Sequence, residues 1–252
     1  GTPSDATLVR AIAAIRARGL KVCLNPFMMM DIAVDNGLPD PHGGDQQAVY
    51  PWRGRISCDP APLQAGSPDG TTTARDQVDA LLGSVSTHHY STATQGVSYS
   101  GPAQWSYRRM ILHYAHLAQV AGGVDMFLIG SELKGLTAIR AENNSFPFVE
   151  GLSALADDAA TILADDTIIT YGADWGEFFG IHPADGSGDV FFNLDPLWAN
   201  PSVAAVGIDN YMPASDWRGV ASQTGEGRSG HDTQMLRQLL VGGEGFDWYY
   251  AS

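Results

Sequence analysis

Four apolar runs of strand length, each set off by a helical pattern, constrain this 252-residue chain more than any other feature. Lys21 to Phe27, Val124 to Ile129, Thr167 to Tyr171 and Val203 to Ile208 carry their apolar residues in runs rather than in alternation. Such strands are covered on both faces, which means parallel pairing and an α/β architecture. The helices between them follow from spacing and caps. Ser4 caps a first helix with Leu8, Ile12 and Ile15 on one face, stopped by Gly19. Gln104 to Val120 and Pro147 to Leu163 are amphipathic, and shorter helices are expected over Val190 to Ala199 and Thr233 to Val241.

Between the first and second strands lie about 75 residues, Met28 to Pro102, rich in Gly, Pro, Asp, Ser and Thr; only Thr73 to Leu82 reads as helical. Loops of that size in a compact domain are functional or mobile, or count against the assignment. The 29 Gly and 14 Pro fit a scaffold carrying long loops. With 28 acidic against 14 basic side chains, the net charge of −14 repels phosphate backbones and anionic lipids. Nucleic acid and membrane surfaces are therefore poor partners, and no apolar run is long enough to insert into a bilayer. No signal peptide is expected at Gly1-Thr-Pro-Ser4, and two cysteines make no disulfide framework or metal spacing.

In parallel α/β folds the chemistry sits at the carboxyl ends of the strands. Here those ends carry Asn25, Gly130-Ser131-Glu132, Asp174-Trp175 and Asp209-Asn-Tyr211. Aromatic faces pack on sugar rings, Asp and Asn bind hydroxyls, and a carboxylic acid can protonate a glycosidic oxygen. Two readings fit Glu132: a partly desolvated general acid, or a first-turn residue complementing a helix dipole. Asp174 could contact substrate or cap a turn, and Trp175 could contact substrate or cover the core. Asp209 and Tyr211 are open in the same way, and Asn25 reads as a loop-fixing amide. His113 and His116 have a helical spacing that metal ligands use, but a solvated face explains them better, so no metal or other cofactor is expected. No nucleophile elbow, dinucleotide fingerprint or Walker A loop falls where a strand meets a helix. Trp248-Tyr-Tyr250 fits a sugar platform or a core cluster equally well.

The segments Lys21-Val-Cys-Leu-Asn-Pro-Phe27, Phe127-Leu-Ile-Gly-Ser-Glu-Leu133, Thr170-Tyr-Gly-Ala-Asp-Trp175 and Val206-Gly-Ile-Asp-Asn-Tyr-Met-Pro213 resemble the TIM-barrel-like domain of gene transfer agents. Pro51-Trp-Arg-Gly-Arg-Ile56, Ser106-Tyr-Arg-Arg-Met110 and Gly243-Glu-Gly-Phe-Asp-Trp-Tyr-Tyr250 extend the resemblance over nearly the whole chain. That domain belongs to the host-specificity protein at the tail tip of phage-like particles, and it is similar to clan A glycoside hydrolases, family 113 in particular.

The resemblance implies a (β/α)8 barrel of which residues 1–252, a single domain with an insertion at 28–102, cover strands three to six. It implies Glu132 as acid/base at the end of strand four, Asn25 after strand three, Asp174 and Trp175 after strand five, and Asp209 and Tyr211 after strand six. Ser131 stands where most clan A enzymes carry an Asn that binds the sugar 2-hydroxyl. The family's nucleophile, a Glu ending strand seven, is expected past Ser252, because Glu244 lies in a Gly-rich loop. The implied function is retaining hydrolysis of a cell-surface or cell-wall glycan, with a chain lacking its nucleophile inactive alone. The alternative is a non-catalytic glycan-binding or structural module. The implied setting is a virion tail tip acting outside the cell, assembled in the bacterial cytoplasm with other tail proteins as partners.

Overall fold

The computed structural model describes residues 2–211 and 233–242. The chain divides into two compact units, Gly1–Asp209 and Asn210–Ser252. In the second, the described regular element is the helix Thr233–Gly242, close to expectation.

The first unit is built on a parallel sheet of four strands: β1 (Cys23–Leu24), β4 (Met126–Ser131), β5 (Ile168–Asp174) and β6 (Gly207–Asp209), in the spatial order β1-β4-β5-β6. Spatial order equals chain order. A doubly wound sheet reverses direction at a switch point, whereas an arc of a barrel does not. Helices fill the connections. α1 (Asp5–Arg16) precedes β1, and the Ser4 hydroxyl accepts the Thr7 N–H at its start. α3 (Tyr107–Val120), capped by Ser106, leads into β4. α5 (Pro147–Ile162) crosses from β4 to β5, with Pro147 in the first turn where no N–H is needed.

Phe148, Leu152, Leu155, Ala156 and Ala159 are fully buried on α5, a helical stripe packed on Phe127, Ile129 and Tyr171 of the sheet. Each large side chain in that stripe contributes about 1.5–3 kcal/mol by leaving water. Among the described residues no helix is long and apolar enough to cross a membrane.

Four expectations shift, each for a visible reason. The first strand is only Cys23–Leu24. The Asp125 carboxylate accepts the Val22 N–H at 2.8 Å in place of a ladder partner, and Pro26 has no N–H to continue the ladder. β4 and β5 run past Ile129 and Tyr171, because Gly130 and Gly172 interrupt the apolar pattern without ending the strands. The last strand is Gly207–Asp209 rather than Val203–Ile208. Ala204 still donates to the Ile169 carbonyl, but the Thr170 hydroxyl takes the Ala205 carbonyl and displaces a regular ladder. The helix expected over Val190 to Ala199 shrinks to α6 (Asp195–Trp198), since Phe191 is extended and exchanges two backbone hydrogen bonds with Ile181.

The long segment 28–102 is structured. It holds a 3-10 turn at Arg53–Arg55, α2 (Thr72–Leu82), and an antiparallel hairpin of β2 (Tyr90–Ala93) and β3 (Gly96–Tyr99). The hairpin strands are Ser- and Thr-rich and mostly exposed at β2, so their composition reads as loop.

Candidate functional site

Ser131 ends β4, and Glu132 follows it with φ +51°, the left-handed region that L-residues other than Asn and Asp seldom occupy. The turn swings the side chain off the strand axis, and Glu132 is only 5% exposed. Its N–H donates to the Gly172 carbonyl of the neighbouring strand at 2.7 Å. The single-turn helix α4 (Lys134–Thr137) starts after it with Leu133 as N-cap, so Glu132 lies outside the helix. Its carboxylate is engaged elsewhere, which removes the helix-dipole reading.

The partners come from the long segment. The Trp52 indole N–H donates to Glu132 Oε2 at 2.8 Å, and Arg53 Nη2 pairs with the same oxygen at 3.0 Å. Arg53 also donates through Nε to the Ser131 carbonyl at 2.7 Å and through Nη2 to the Ser131 hydroxyl at 2.8 Å. Its guanidinium stacks on the Phe27 ring at 3.9 Å. A buried cation with this many fixed contacts is a rigid part of the site.

The segment approaches so closely because α4 has Gly135 at the contact. A Cβ there would fall 2.4 Å from the Ile56 carbonyl oxygen and 2.7 Å from that of Gly54.

The same guanidinium faces a second carboxylate, with Asp209 Oδ2 3.9 Å from Nη2. Burial, then the nearby Glu132 charge, raise the Asp209 pKa, and Arg53 opposes both. Asp209 is register partner to Asp174 across β5 and β6. Asp174 is buried; its Oδ1 accepts the Gly176 N–H at 2.9 Å and lies 3.6 Å from Lys134 Nζ, so it does anchor its turn. Asn25, after β1, reaches the Ser131 hydroxyl with Nδ2 at 3.5 Å, the long end of hydrogen bonding.

The structure thus brings Asn25, Ser131, Glu132 and Asp209 around Arg53, with Asp174 one register step away. Trp175 is 44% exposed and does not cover the core. Tyr211, in the second unit, is 69% exposed. Glu244 and Trp248 to Tyr250 lie outside the described residues.

Beneath this group lies a second glutamate. Glu177 is fully buried and accepts hydrogen bonds from the Thr137 hydroxyl, from Tyr171 Oη (3.0 Å to Oε1) and from the Asp174 N–H (2.9 Å to Oε2). Burial raises its pKa, and those three donors work against the rise.

The solvated-face reading of His113 and His116 is replaced by packing. Both are half-buried; His113 Nε2 lies 3.0 Å from Asp5 Oδ1 of α1, and His116 packs on the Tyr90 ring with centroids 5.0 Å apart. Among the described residues there is no cluster of three or more side chains suited to a metal. A hollow of about 570 Å³ beside α3, lined by Met28, Tyr99, Trp105 and Tyr107, is apolar and has no carboxylate in its lining, so it is distinct from the carboxylate group.

Trp52, Arg53 and Glu177 escaped the sequence reading. The Trp-Arg pair in Pro51-Trp-Arg-Gly-Arg-Ile56 was the available signal for the first two, since such residues in a loop seek partners. Glu177, two residues past Trp175, reads as an ordinary turn carboxylate.

An open parallel sheet wound in one direction, with acids gathered at its carboxyl edge, defines a barrel-type α/β protein. The chain matches the GTA TIM-barrel-like domain over residues 105–252, more than half its length, and belongs to that gene transfer agent domain family. The matched stretch takes in α3 and everything after it; the segments at 21–27 and 51–56 lie before it. No curated protein matches the chain.

Proposed function

We propose that the chain is a glycoside hydrolase-like domain, similar to clan A and family 113 enzymes, that acts on a cell-surface or cell-wall glycan by a retaining mechanism. The observation that carries the reading is a glutamate buried at the carboxyl end of β4, with a second carboxylate across one guanidinium. Glu132 is the acid/base. It protonates the glycosidic oxygen as the bond breaks, then takes a proton from the water that releases the sugar. Retention further requires a carboxylate about 5–5.5 Å away to attack the anomeric carbon. Asn25, Ser131, Asp174, Asp209 and Trp175 supply sugar contacts, the exposed Trp175 by stacking. The setting that fits is the tail tip of a phage-like particle, assembled in the bacterial cytoplasm and working outside the cell beside other tail proteins.

The test is Glu132→Gln in the full-length protein, assayed for reducing-sugar release from a panel of wall and surface glycans. Loss of general acid–base catalysis should lower turnover about 10²- to 10⁴-fold. Unchanged release on every glycan the parent cleaves would sink the mechanism.

A second reading has its own support. The Ser131 hydroxyl is already engaged by Arg53 and Asn25, and Glu132 is ion-paired and covered by Trp52. A site satisfied internally suits a glycan-binding or structural module without turnover. Binding of a glycan by both parent and Glu132→Gln, with no sugar released by either, selects this alternative.

A further inference from the structure

Glu177 has no part in the reaction just described, yet its burial is complete and its partners lead back to Glu132. A non-glycine residue keeps a positive φ only where its surroundings over-determine it. Two hydrogen bonds do so here, one on each side of the Glu132 α-carbon. Its own N–H goes to the Gly172 carbonyl at 2.7 Å, and the next amide, Leu133 N–H, goes to Tyr171 Oη at 2.7 Å.

A phenol oxygen that accepts from an amide must send its proton elsewhere, and Tyr171 sends it to Glu177. Glu177 is in turn fixed by the Thr137 hydroxyl and the Asp174 N–H. Tyr171, Thr137 and Glu177 are all fully buried, and no cation takes part in these contacts. Packing alone has no use for a carboxyl there. Directing the Tyr171 hydroxyl does require one, because an acceptor on the far side of the phenol leaves its lone pair for Leu133.

We propose that Glu177 is a positioning residue for Glu132: acting through the Tyr171 hydroxyl, it holds the Leu133 amide and so keeps the left-handed turn that aims the Glu132 carboxyl at Trp52 and Arg53. The inference rests on Glu132 being the acid/base only for its bearing on catalysis; the coupling itself is structural and measurable without turnover.

The full chain is labelled with carboxyl-¹³C glutamate. It has six glutamates, and the Glu132 resonance is assigned by its loss in Glu132→Gln. Tyr171→Phe, which removes the acceptor of the Leu133 amide, should shift the Glu132 carboxyl resonance at fixed pH. Thr137→Val should shift it in the same direction by less, and Thr137→Ser, which restores the hydroxyl, should return it to the parent position. Leu152→Ala, a core truncation outside the network, controls for general loosening and should leave the resonance in place. A Glu132 resonance in Tyr171→Phe equal to the parent's overturns the proposal, as does an equal movement in Leu152→Ala. If the parent releases no sugar but the resonance still moves in Tyr171→Phe alone, the positioning role stands and the hydrolase reading fails.

Discussion

Two buried glutamates lie a few residues from the carboxyl ends of adjacent strands, and the protein treats them in opposite ways. Glu132, after β4, is given a cation, an indole N–H and a second carboxylate for company. Glu177, after β5, is given three uncharged donors and no cation. The first arrangement suits a carboxylate whose charge is balanced by a fixed cation. The second suits a group that works as a fixed acceptor inside a hydrogen-bond network. The contrast shows that burial by itself does not tell the two carboxyls apart; the kind of partner does.

The sharpest way to break the contrast is to remove the cation. Arg53→Met leaves Glu132 and Asp209 facing an apolar side chain, with both members of the Arg53–Glu132 pair under a tenth exposed. Breaking a buried pair from one side costs about 3–5 kcal/mol. Much of that is the uncompensated charge, so Arg53→Met combined with Glu132→Gln should recover a large part of it. Urea unfolding of the single and double variants measures the difference. If Arg53→Met costs no more than a surface substitution, the ion pair is not what makes Glu132 tolerable.

A smaller effect separates the two carboxyls by geometry. Gly135→Ala puts a methyl group against two backbone oxygens of the 53–56 segment, which must move away. Overpacking of this sort costs about 1–3 kcal/mol. It should loosen Arg53 and Trp52 from Glu132 and leave the Tyr171–Glu177 network intact. Hydrogen exchange of the Trp52 indole N–H should quicken, while the Leu133 amide stays protected. Equal loss of protection at both would mean the two carboxyls share one support.

The scaffold was more legible than the site. Phe127, Leu128 and Ile129 announce a buried strand, and Leu152, Leu155 and Ala159 a helix face, because burial of neighbours in sequence leaves a period in the sequence. Glu132 was legible for the same reason, as the first carboxyl after an unmistakable strand. Arg53 was not: it meets Ser131 across 78 residues, and nothing local to either end specifies that meeting. The hairpin at Tyr90–Tyr99 stayed hidden because Ser91, Thr92 and Ser98 are polar strand residues at its exposed positions. Strand ends blurred where Gly130 and Gly172 serve close approach rather than packing, the latter letting Asp209 Oδ1 come within 3.0 Å of where a Cβ would sit.

The gentlest test uses protons. Burial raises the pKa of Glu177 above its ordinary 4.5, so the folded chain holds that proton to higher pH than the unfolded chain does. Between 4.5 and the folded value the native state binds more protons, and stability falls as pH rises through that window. Asp185 runs the other way. Hydrogen bonds from Ser187 and Arg140 hold it down at about 2 from an ordinary 3.8, so its contribution is lost as pH falls through that lower interval. Glu177→Gln should therefore flatten the stability profile above 4.5, whereas Asp185→Asn should flatten only the acid limb below 3.8. Urea midpoints taken from pH 2 to 8 separate the two limbs. Parallel profiles for Glu177→Gln and the parent above 4.5 would mean that Glu177 is not held against ionisation by burial, and the difference drawn between the two glutamates would then reduce to Arg53 alone.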